Sequence, residues 1–324
     1  MEYTINPNPS EKEWKAALKD LKQEENFFIV QEDKDTSEML NRTPVRILIY
    51  KKNKLACLYQ GVVIIKKAGF IKLLNVRCGR REDRGIFIND PKNKKELLKI
   101  LVKEIRSVLK KKFGFFSMLY LSFYFDKEEP LFSGWKHKYN HTPILDLSPS
   151  KEEIEAGLNR KNRNEIRQAR KRGVKVKLMN NDAGLKVFYD LNKYYWEKLK
   201  KTFWLENKDL FLKFHERFMK KGCFYIFIAE VENKPAAFAT IWAIGHDKVV
   251  YGNGGYNAKY QWYRPSNLVL WEAMLWAKDK GYRYFDMGGG VEDQKNLKKY
   301  NITKFKLGFG SQLNRFIKYY KIML

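Results

Sequence analysis

Cysteine and histidine are scarce in this sequence of 324 residues, and acidic residues are far fewer than basic ones. The three cysteines, Cys57, Cys78 and Cys223, are widely separated and form no CxxC pair, and there are only four histidines. A structural zinc site needs clustered Cys and His ligands, so this composition argues against one. Separated cysteines are typical of core residues that stay reduced in a cytoplasm.

Two further absences bear on metal binding and on location. His137 and His141 are four residues apart, but HKYNH lacks the glutamate of a zinc-protease helix, so we expect loop or surface residues and no metal. No apolar run reaches the roughly 18 residues that span a bilayer. The beginning, MEYTINPNPSEKEWK, lacks the basic-then-apolar order of a signal peptide. We therefore expect a cytoplasmic protein, with peripheral contact to the inner face of an anionic membrane as a further option.

The excess of basic over acidic residues gives the chain a large positive charge. Lys and Arg number 64 against 37 Asp and Glu, which gives a formal net charge of +27. Such an excess attracts polyanions, which here means nucleic acid, anionic lipid or phosphate-bearing substrates. A lysine-rich surface without a specific partner is the alternative, because many lysines lie at exposed helical positions such as KNKKELLK (92–99).

Hydrophobic residues make up 44% of the chain and aromatic residues 15%, which indicates folded cores. Three strands are predicted in 45–74, a helix in 89–114 that begins after Asp90, and a buried strand in 115–125. The second half repeats this plan on a larger scale. Its predicted elements are helices at 150–172, 183–200 and 207–221, three strands in 223–255, a helix at 265–281, a short strand in 282–290, a helix at 295–307 and a strand at 313–324.

This order of elements is the plan of the GNAT acyltransferase fold. The fold class we predict is α+β, with two tandem GNAT-like domains, each a mixed, mostly antiparallel sheet flanked by helices. The first domain spans 1–145, and the terminal strand 314–324 is expected to pack with it. The second domain spans 146–313.

The segment NRKNRNEIRQARKRGVKVK (159–177) has nine basic residues and one acidic residue, Glu165. On a single helix over 150–172, its apolar residues form one arc and its cations a neighbouring one. Arginine predominates on that edge, and its planar fork suits phosphate or carboxylate. We expect an anion-binding edge, whereas a solvated basic face or a localisation signal is the alternative reading. The cations of this edge are Arg160, Arg163, Arg167, Arg170 and Lys171.

Several stretches, taken together and in order, resemble the FemABX-type aminoacyltransferases. They are KNRNEIRQARKRGVKV (161–176), the run from Tyr251 to Gly290 that ends in FDMGGG, and KFKLGFG (304–310). In the first half, RCGRREDRGIFI (77–88) and LYLSFYFDKE (119–128) lie where that family has an Arg-Gly turn and an Asp-Pro strand end. The similarity covers most of the chain.

The resemblance implies that an amino acid is transferred from aminoacyl-tRNA to an amine of a peptidoglycan-type precursor peptide. Its partners would be aminoacyl-tRNA and a nucleotide- or lipid-linked precursor that carries phosphate. Aminolysis of an activated ester needs an uncharged amine, a donor for the developing oxyanion and close positioning. The reaction requires neither a metal nor a cofactor, and aminoacyl-tRNA is its co-substrate.

The resemblance also implies site residues. Phe305 and Lys306 match a family pair in which the lysine contacts the tRNA end or the oxyanion and the phenylalanine stacks. Asp126 matches a family aspartate suggested as a base or a substrate contact, although Lys127 replaces the proline that follows it there. Asp286, by contrast, is expected to organise the MGGG turn.

Position in the predicted fold gives further candidates. Tyr251 ends the three-strand run, and Tyr263 and Arg264 come just before the next helix, where a phosphate can bind. Arg163, Arg167 and Arg170 are the predicted substrate contacts of the basic edge. Packing of buried tyrosines is the competing account for Tyr251 and Tyr263.

Two other functions remain open at this point. An acyl-CoA-dependent N-acyltransferase of the same fold normally has a glycine-rich loop before the helix that follows the three strands. The sequence there is YRPSNLV (263–269), which lacks those glycines, and Pro265 has no amide hydrogen. A non-catalytic protein that binds RNA or anionic lipid would keep the basic edge without needing Phe305 and Lys306.

Overall fold

The computed structural model describes residues 3–22, 24, 34–68, 71–78, 85–114, 116–125, 134–198, 207–244 and 247–323. The chain divides into two compact units, Met1–Asn140 with Arg315–Leu324, and His141–Asn314. Within the described residues, no helix is both long and apolar enough to cross a membrane.

The first unit is a mixed sheet with helices. Its strand order is β1-β2-β3-β4-β6-β13, and β5 pairs with β3. Neighbouring strands are antiparallel except β4 and β6, which are parallel and are joined through the longest helix, α3. The strands are β1 (Tyr3–Asn6), β2 (Thr43–Lys51), β3 (Lys54–Ala68), β4 (Ile71–Arg77), β5 (Ile86–Ile88), β6 (Met118–Phe125) and β13 (Gln312–Met323, from Arg315 onwards in this unit). The helices are α1 (Glu11–Asp20), α2 (Lys34–Met39) and α3 (Lys94–Phe113).

The predicted strands of this unit are present. Lys52 and Asn53 have φ of 49° and 61°, the left-handed backbone of a tight hairpin turn, and they join β2 to β3. The predicted helix 89–114 starts later than expected. Pro91–Asn93 form a 3-10 turn, and the Asp90 carboxylate accepts hydrogen bonds from Lys51 and Asn93 side chains in place of capping the helix. The predicted apolar face of α3 is buried.

The second unit contributes six strands, in the order β7-β12-β11-β10-β9-β8. Only β11 and β12 among its paired strands run parallel. Its strands are β7 (Lys136–Asp146, from His141 onwards in this unit), β8 (Lys175–Leu178), β9 (Phe224–Val231), β10 (Lys234–Ile244), β11 (Lys248–Tyr256) and β12 (Tyr284–Asp286). Its helices are α4 (Lys151–Ala156), α5 (Arg160–Lys171), α6 (Asp182–Lys198), α7 (Lys208–Lys220), α8 (Pro265–Asp279) and α9 (Leu297–Leu307).

Helix α8 lies against the middle of this sheet and is apolar on most sides. Leu268, Leu270, Trp271 and Met274 are fully or almost fully buried in the core of the unit. Pro265 occupies its first turn, and Gly281, with φ of 83°, follows its end, as the sequence predicts. A helix that is apolar all round is typical of a central, covered position.

The predicted single helix over 150–172 is wrong. The segment forms two helices, α4 and α5, separated by Gly157, Leu158 and Asn159. Ser150 and Glu153 form a capping box at the start of α4. Asn159 caps α5 because its side chain accepts a hydrogen bond from the Asn162 amide at 2.7 Å.

HKYNH was predicted to be loop or surface residues; it lies in strand β7 and not in a loop, and His137 is exposed at the surface. His141 forms an isolated bridge with Gly290, and its Nε2 lies 3.0 Å from the Glu292 carboxylate. The described residues contain no group of three or more His, Cys, Asp or Glu that could hold a metal ion.

Candidate functional site

A cavity of about 440 Å³ lies in the second unit where two parallel strands separate. β11 and β12 pair only from Lys248 and Tyr284 to Val250 and Asp286. β12 ends there, whereas β11 continues to Tyr256 and forms one wall of the cavity. The other walls come from α6, from the start of α8 and from α9. The lining includes Tyr195, Phe238, Tyr251, Asn253, Gly254, Gly255, Tyr256, Gln261, Arg264, Pro265, Ser266, Asn267, Leu270, Ile302, Phe305 and Lys306.

The β11 wall combines tyrosines with glycines. A Cβ atom on Gly255 would lie 2.8 Å from the Phe238 ring and 3.0 Å from the Tyr195 ring, so only glycine lets Tyr195 approach the strand this closely. Burial, with a smaller contribution from Tyr195, raises the pKa of Tyr251, and burial likewise raises the pKa of Tyr195. Both phenols therefore stay neutral at physiological pH and can act as hydrogen-bonding groups.

Asn253 is held rigidly in the same wall. Its Oδ1 accepts a hydrogen bond from Thr240 Oγ1 at 2.6 Å, and its Nδ2 donates to Asn192 Oδ1 at 3.1 Å. Thr240 and Asn192 are themselves buried. A buried, connected set of polar groups of this kind fixes the orientation of the residue at its end.

Lys306 brings a positive charge into the cavity wall from α9. Its side chain is only 9% exposed. Its Nζ donates to the main-chain oxygens of Gly288 and Gly289, the latter at 2.9 Å. Charge-dipole hydrogen bonds of this kind compensate the desolvation of a buried ammonium. Phe305, the preceding residue, also lines the cavity.

The turn that receives Lys306 is organised by Asp286, as predicted. The Asp286 Oδ1 atom accepts hydrogen bonds from the Gly288 amide at 2.8 Å and from the Thr142 hydroxyl. Gly288 and Gly289 have φ of 61° and 34°, a left-handed backbone that glycine adopts most readily. The aspartate thus shapes the backbone whose carbonyl groups hold the lysine.

Arg264, at the start of α8, has an uncommon backbone. Its φ of 59° and ψ of 37° place it in the left-handed region, immediately before Pro265. For a residue other than glycine this conformation costs on the order of 1 kcal/mol, and functional sites often retain such strain. Arg264 is exposed and lines the cavity, so its guanidinium can reach an anionic ligand there.

Helices α5 and α9 are tied together directly behind the cavity. The Asn162 Nδ2 atom donates to the Phe305 carbonyl oxygen at 3.3 Å, and Asn267 Nδ2 donates to Asn162 Oδ1 at 3.3 Å. A Cβ atom on Gly308 would lie 2.5 Å from Asn159 Nδ2 and 2.8 Å from Asn162 Nδ2. The two motifs around NRKNRN and KFKLGFG therefore meet in space.

The structure brings together four of the residues singled out from the sequence. Lys306, Phe305, Tyr251 and Arg264 all line the cavity. Tyr263 lies outside its lining, packed against the core of the unit, with ring centroids 6.4 Å from Tyr260 and 5.4 Å from Trp262. Asp126 lies outside the described residues.

The arginines of the predicted anion-binding edge are partly engaged within the protein. Arg163 donates from Nη2 to the carbonyl oxygens of Ala156 and Leu158, at 2.9 and 2.8 Å, where the break between α4 and α5 leaves them without helical partners. Arg170 forms an ion pair with Glu272 at 2.9 Å. Arg167 contacts Asn164 at 3.4 Å and is exposed. Substrate binding by these residues stays a prediction.

Other lining residues were missed from the sequence. Nothing in the sequence marks Tyr195 as a cavity residue, because it lies within an ordinary helical pattern. Asn253 is marked, because it lies in YGNGGY between glycines, and glycines inside a strand mark close approach of another group.

Comparison with known proteins identifies the class. Residues 159–296 match the family described as acetyltransferase (GNAT) domain. A crystal structure of FemX is similar with a TM-score of 0.72 at 16% identity, over 98% of this chain and 97% of that chain. The structure of L-PGS from Bacillus licheniformis gives 0.57 at 12% identity, over 98% and 93%. A tandem GNAT protein from the clavulanic acid biosynthesis pathway gives 0.59 at 9% identity, over 99% and 98%. No curated protein matches by sequence.

Residues 159–296 of the second unit are thus similar to a GNAT domain. The chain as a whole has the two-unit α+β fold of FemX, which confirms the fold class predicted from the order of elements and, separately, the structural resemblance. Identities this low establish the fold, and the donor and acceptor have to be argued from the chemistry of the site.

Proposed function

We propose that this protein transfers an aminoacyl group from aminoacyl-tRNA to an amine of a cell-wall precursor peptide. The observation that carries the proposal is the Lys306 ammonium, buried in the wall of an aromatic cavity where the strands of a GNAT domain separate. The FemABX-type resemblance of the surrounding sequence supplies the donor and acceptor classes.

The reaction needs little covalent chemistry from the protein. The acceptor amine attacks the ester carbonyl, and the tetrahedral intermediate carries an oxyanion. Its collapse breaks the carbon–oxygen bond to the ribose, and the ribose hydroxyl leaves with a proton that originates from the amine. A fixed positive charge near the oxyanion stabilises this intermediate, and Lys306 is held by Gly288 and Gly289 at a position suited to that role.

Asp126 is the residue that we propose to take the proton from the acceptor amine. The proposal comes from the family resemblance alone, because Asp126 lies outside the described residues. A carboxylate can act as such a base when it lies within hydrogen-bonding reach of the attacking nitrogen.

The cavity suits the charged end of a tRNA. Its volume of about 440 Å³ admits a nucleoside and a small aminoacyl group but no helical RNA, so only the unpaired end would enter. Tyr195, Tyr256 and Phe305 offer ring faces on which an adenine can stack. The net charge of +27 favours association with the rest of the tRNA and with a diphosphate-bearing precursor, in solution or at an anionic membrane.

The start of α8 argues against coenzyme A as the donor. A pyrophosphate cradle uses successive backbone N–H groups at a helix N-terminus. Here Pro265 removes one of them at the first helical position, and the left-handed Arg264 interrupts the approach to the helix. An acyl-CoA-dependent reaction is therefore the outcome that would replace this proposal.

An acceptor screen tests the proposal. The protein is incubated with a pool of charged tRNAs and a set of nucleotide- and lipid-linked precursor peptides, and products are identified by mass spectrometry. We expect one acceptor to gain the mass of one aminoacyl residue at an amine. Acylation from acetyl-CoA, with no product from charged tRNA, would overturn the proposal.

A further inference from the structure

Trp262 is a large aromatic side chain held on the surface of the second unit. Its side chain is 63% exposed, in a 3-10 turn formed by Ala258–Tyr263. The turn itself is anchored, because Asn257 caps it and Tyr260 is buried beneath it. Exposed tryptophans are uncommon because they leave apolar area in water, so a fixed one on an ordered turn points to a ligand.

Arg172 fixes the ring from one side. Its guanidinium carbon lies 3.7 Å from the Trp262 ring centroid, and its Nη1 donates to the Trp262 carbonyl oxygen. The stack and the hydrogen bond act on the same residue, so the indole is held with one face against the guanidinium. Because most of the side chain is exposed, the remaining ring surface is available for a planar ligand.

Trp262 lies in the chain between two residues that line the candidate site. Gln261 precedes Trp262 and lines the cavity, and Arg264, two residues further on, lines it too. The exposed indole is therefore one residue from the cavity lining on one side and two residues from it on the other.

Positive charge surrounds this position. Arg172 follows the last turn of α5, where Lys171 is exposed, and Arg167 is exposed one turn earlier. Lys259 is exposed in the same turn as Trp262. Fixed aromatic faces beside exposed cations are the two elements with which proteins bind single-stranded nucleic acid.

We propose that Trp262, backed by Arg172, is a stacking platform for an unpaired nucleotide at the 3′ end of the RNA donor. This rests on the proposed function, and it adds the place where the donor is held outside the cavity. The nucleotide at the platform would precede the terminal nucleoside in the cavity, and the exposed cations would contact its phosphates.

The surroundings favour RNA over a lipid surface. A tryptophan that anchors a protein in a membrane interface normally works with other exposed apolar residues. The exposed neighbours of Trp262 are Lys259 and Gln261 in the turn and Arg264 just after it, all polar.

The test uses the full chain and two labelled RNA hairpins, one with an unpaired ACCA 3′ end and one blunt. Binding is measured by fluorescence anisotropy at fixed salt. We expect the wild type to prefer the ACCA hairpin, and Trp262→Ala to weaken that binding about tenfold, the loss of one stacked base. Trp262→Phe should retain most of the preference, and blunt-hairpin binding should be unchanged. Leu178→Ala, at a residue 43% exposed on β8, is the matched control and should bind both hairpins as the wild type does.

The outcomes separate this inference from the proposed function. If the wild type and Trp262→Ala bind the ACCA hairpin equally, Trp262 does not stack on an unpaired nucleotide, even if charged tRNA proves to be the donor. If Trp262→Ala loses the preference while no aminoacyl transfer is found, the platform stands and the proposed reaction fails. A loss of binding to anionic vesicles in Trp262→Ala, with both hairpins unaffected, would show a lipid contact and overturn the inference.

Discussion

Asn162 of helix α5 donates a hydrogen bond to the main-chain oxygen of Phe305 in helix α9, at 3.3 Å. Asn162 belongs to the most basic stretch of the chain, and Phe305 precedes the buried lysine of the cavity. The basic stretch thus has a structural task besides any contact with polyanions. It positions the helix that carries Phe305 and Lys306.

Replacing Asn162 with alanine should therefore damage both stability and catalysis. Asn162 is 2% exposed, and its loss leaves the Asn267 amide without an acceptor. We expect the free energy of unfolding to fall by about 1–3 kcal/mol, measured by urea denaturation. Below the temperature of unfolding, kcat for transfer should fall more than KM rises, because the displaced group acts on the bound substrate. An unchanged kcat would contradict the positioning role.

Removal of the buried charge tests the chemistry directly. Lys306→Met keeps the length of the side chain and loses the ammonium, and kcat should drop by about 100- to 1000-fold, as expected for an oxyanion donor. Binding of charged tRNA should change little. Lys304→Met is the matched control, since Lys304 is exposed on the same helix, with its Nζ 5.0 Å from the Tyr300 ring centroid. Equal activity of the two variants would remove Lys306 from the mechanism.

Arg264 should matter for substrate binding more than for stability. Asparagine tolerates the left-handed backbone, so Arg264→Asn should shift the free energy of unfolding by less than about 1 kcal/mol. The loss of a charged hydrogen bond should raise KM for a phosphate-bearing substrate by roughly 10- to 100-fold. Arg264→Lys should recover part of the binding. Kinetics of the three proteins at several salt concentrations check this, and identical KM values would rule out a phosphate contact.

A buried histidine predicts a pH dependence of folding. His215 is 4% exposed among aromatic side chains such as Phe211 and Phe224, and burial lowers its pKa from 6.5 to about 4. The unfolded chain therefore binds more protons than the folded one between those values, and stability is lost as the pH falls through that range. The loss should total about 3 kcal/mol at about 1.4 kcal/mol per pH unit.

Comparison with His215→Phe isolates that contribution. The variant keeps an aromatic side chain in the same surroundings and cannot take up a proton. Urea denaturation at pH 7 and pH 4 should show a smaller loss for the variant than for the wild type, by about 3 kcal/mol. Equal losses would mean that His215 does not titrate in this range.

The regular elements of the second unit could be predicted because local rules determine them. β9, β10 and β11 follow from apolar runs and polar turns, and α8 from Pro265 and Gly281 at its ends. The break between α4 and α5 could not be predicted in this way, because Ile154, Leu158 and Ile166 continue one apolar pattern across it. The break depends on a distant contact, in which the Asn159 amide donates to the Gly308 carbonyl oxygen at 2.9 Å.

The break between α4 and α5 also explains why the contacts of the basic edge within the protein could not be predicted from the sequence. Arg163 turns to the carbonyl oxygens that the break exposes, and Arg170 turns to Glu272 of α8, which is remote in sequence. The sequence motifs indicated the residues that line the cavity more accurately than those of the basic edge. Phe305, Lys306 and Arg264 lie at fixed places on elements whose order was predicted correctly. Tyr195 reaches the cavity only through the tertiary packing of α6 on Gly255.

A competition between two donors tests whether the protein uses aminoacyl-tRNA or an acyl-CoA. The protein receives tRNA charged with a labelled amino acid and differently labelled acetyl-CoA together, with the acceptor found in the screen, and Lys306→Met is run in parallel. We predict that the product carries the amino-acid label alone, and that Lys306→Met forms it at least about 100-fold more slowly. A product that carries the acetyl label, or a Lys306→Met rate equal to that of the wild type, would contradict the account.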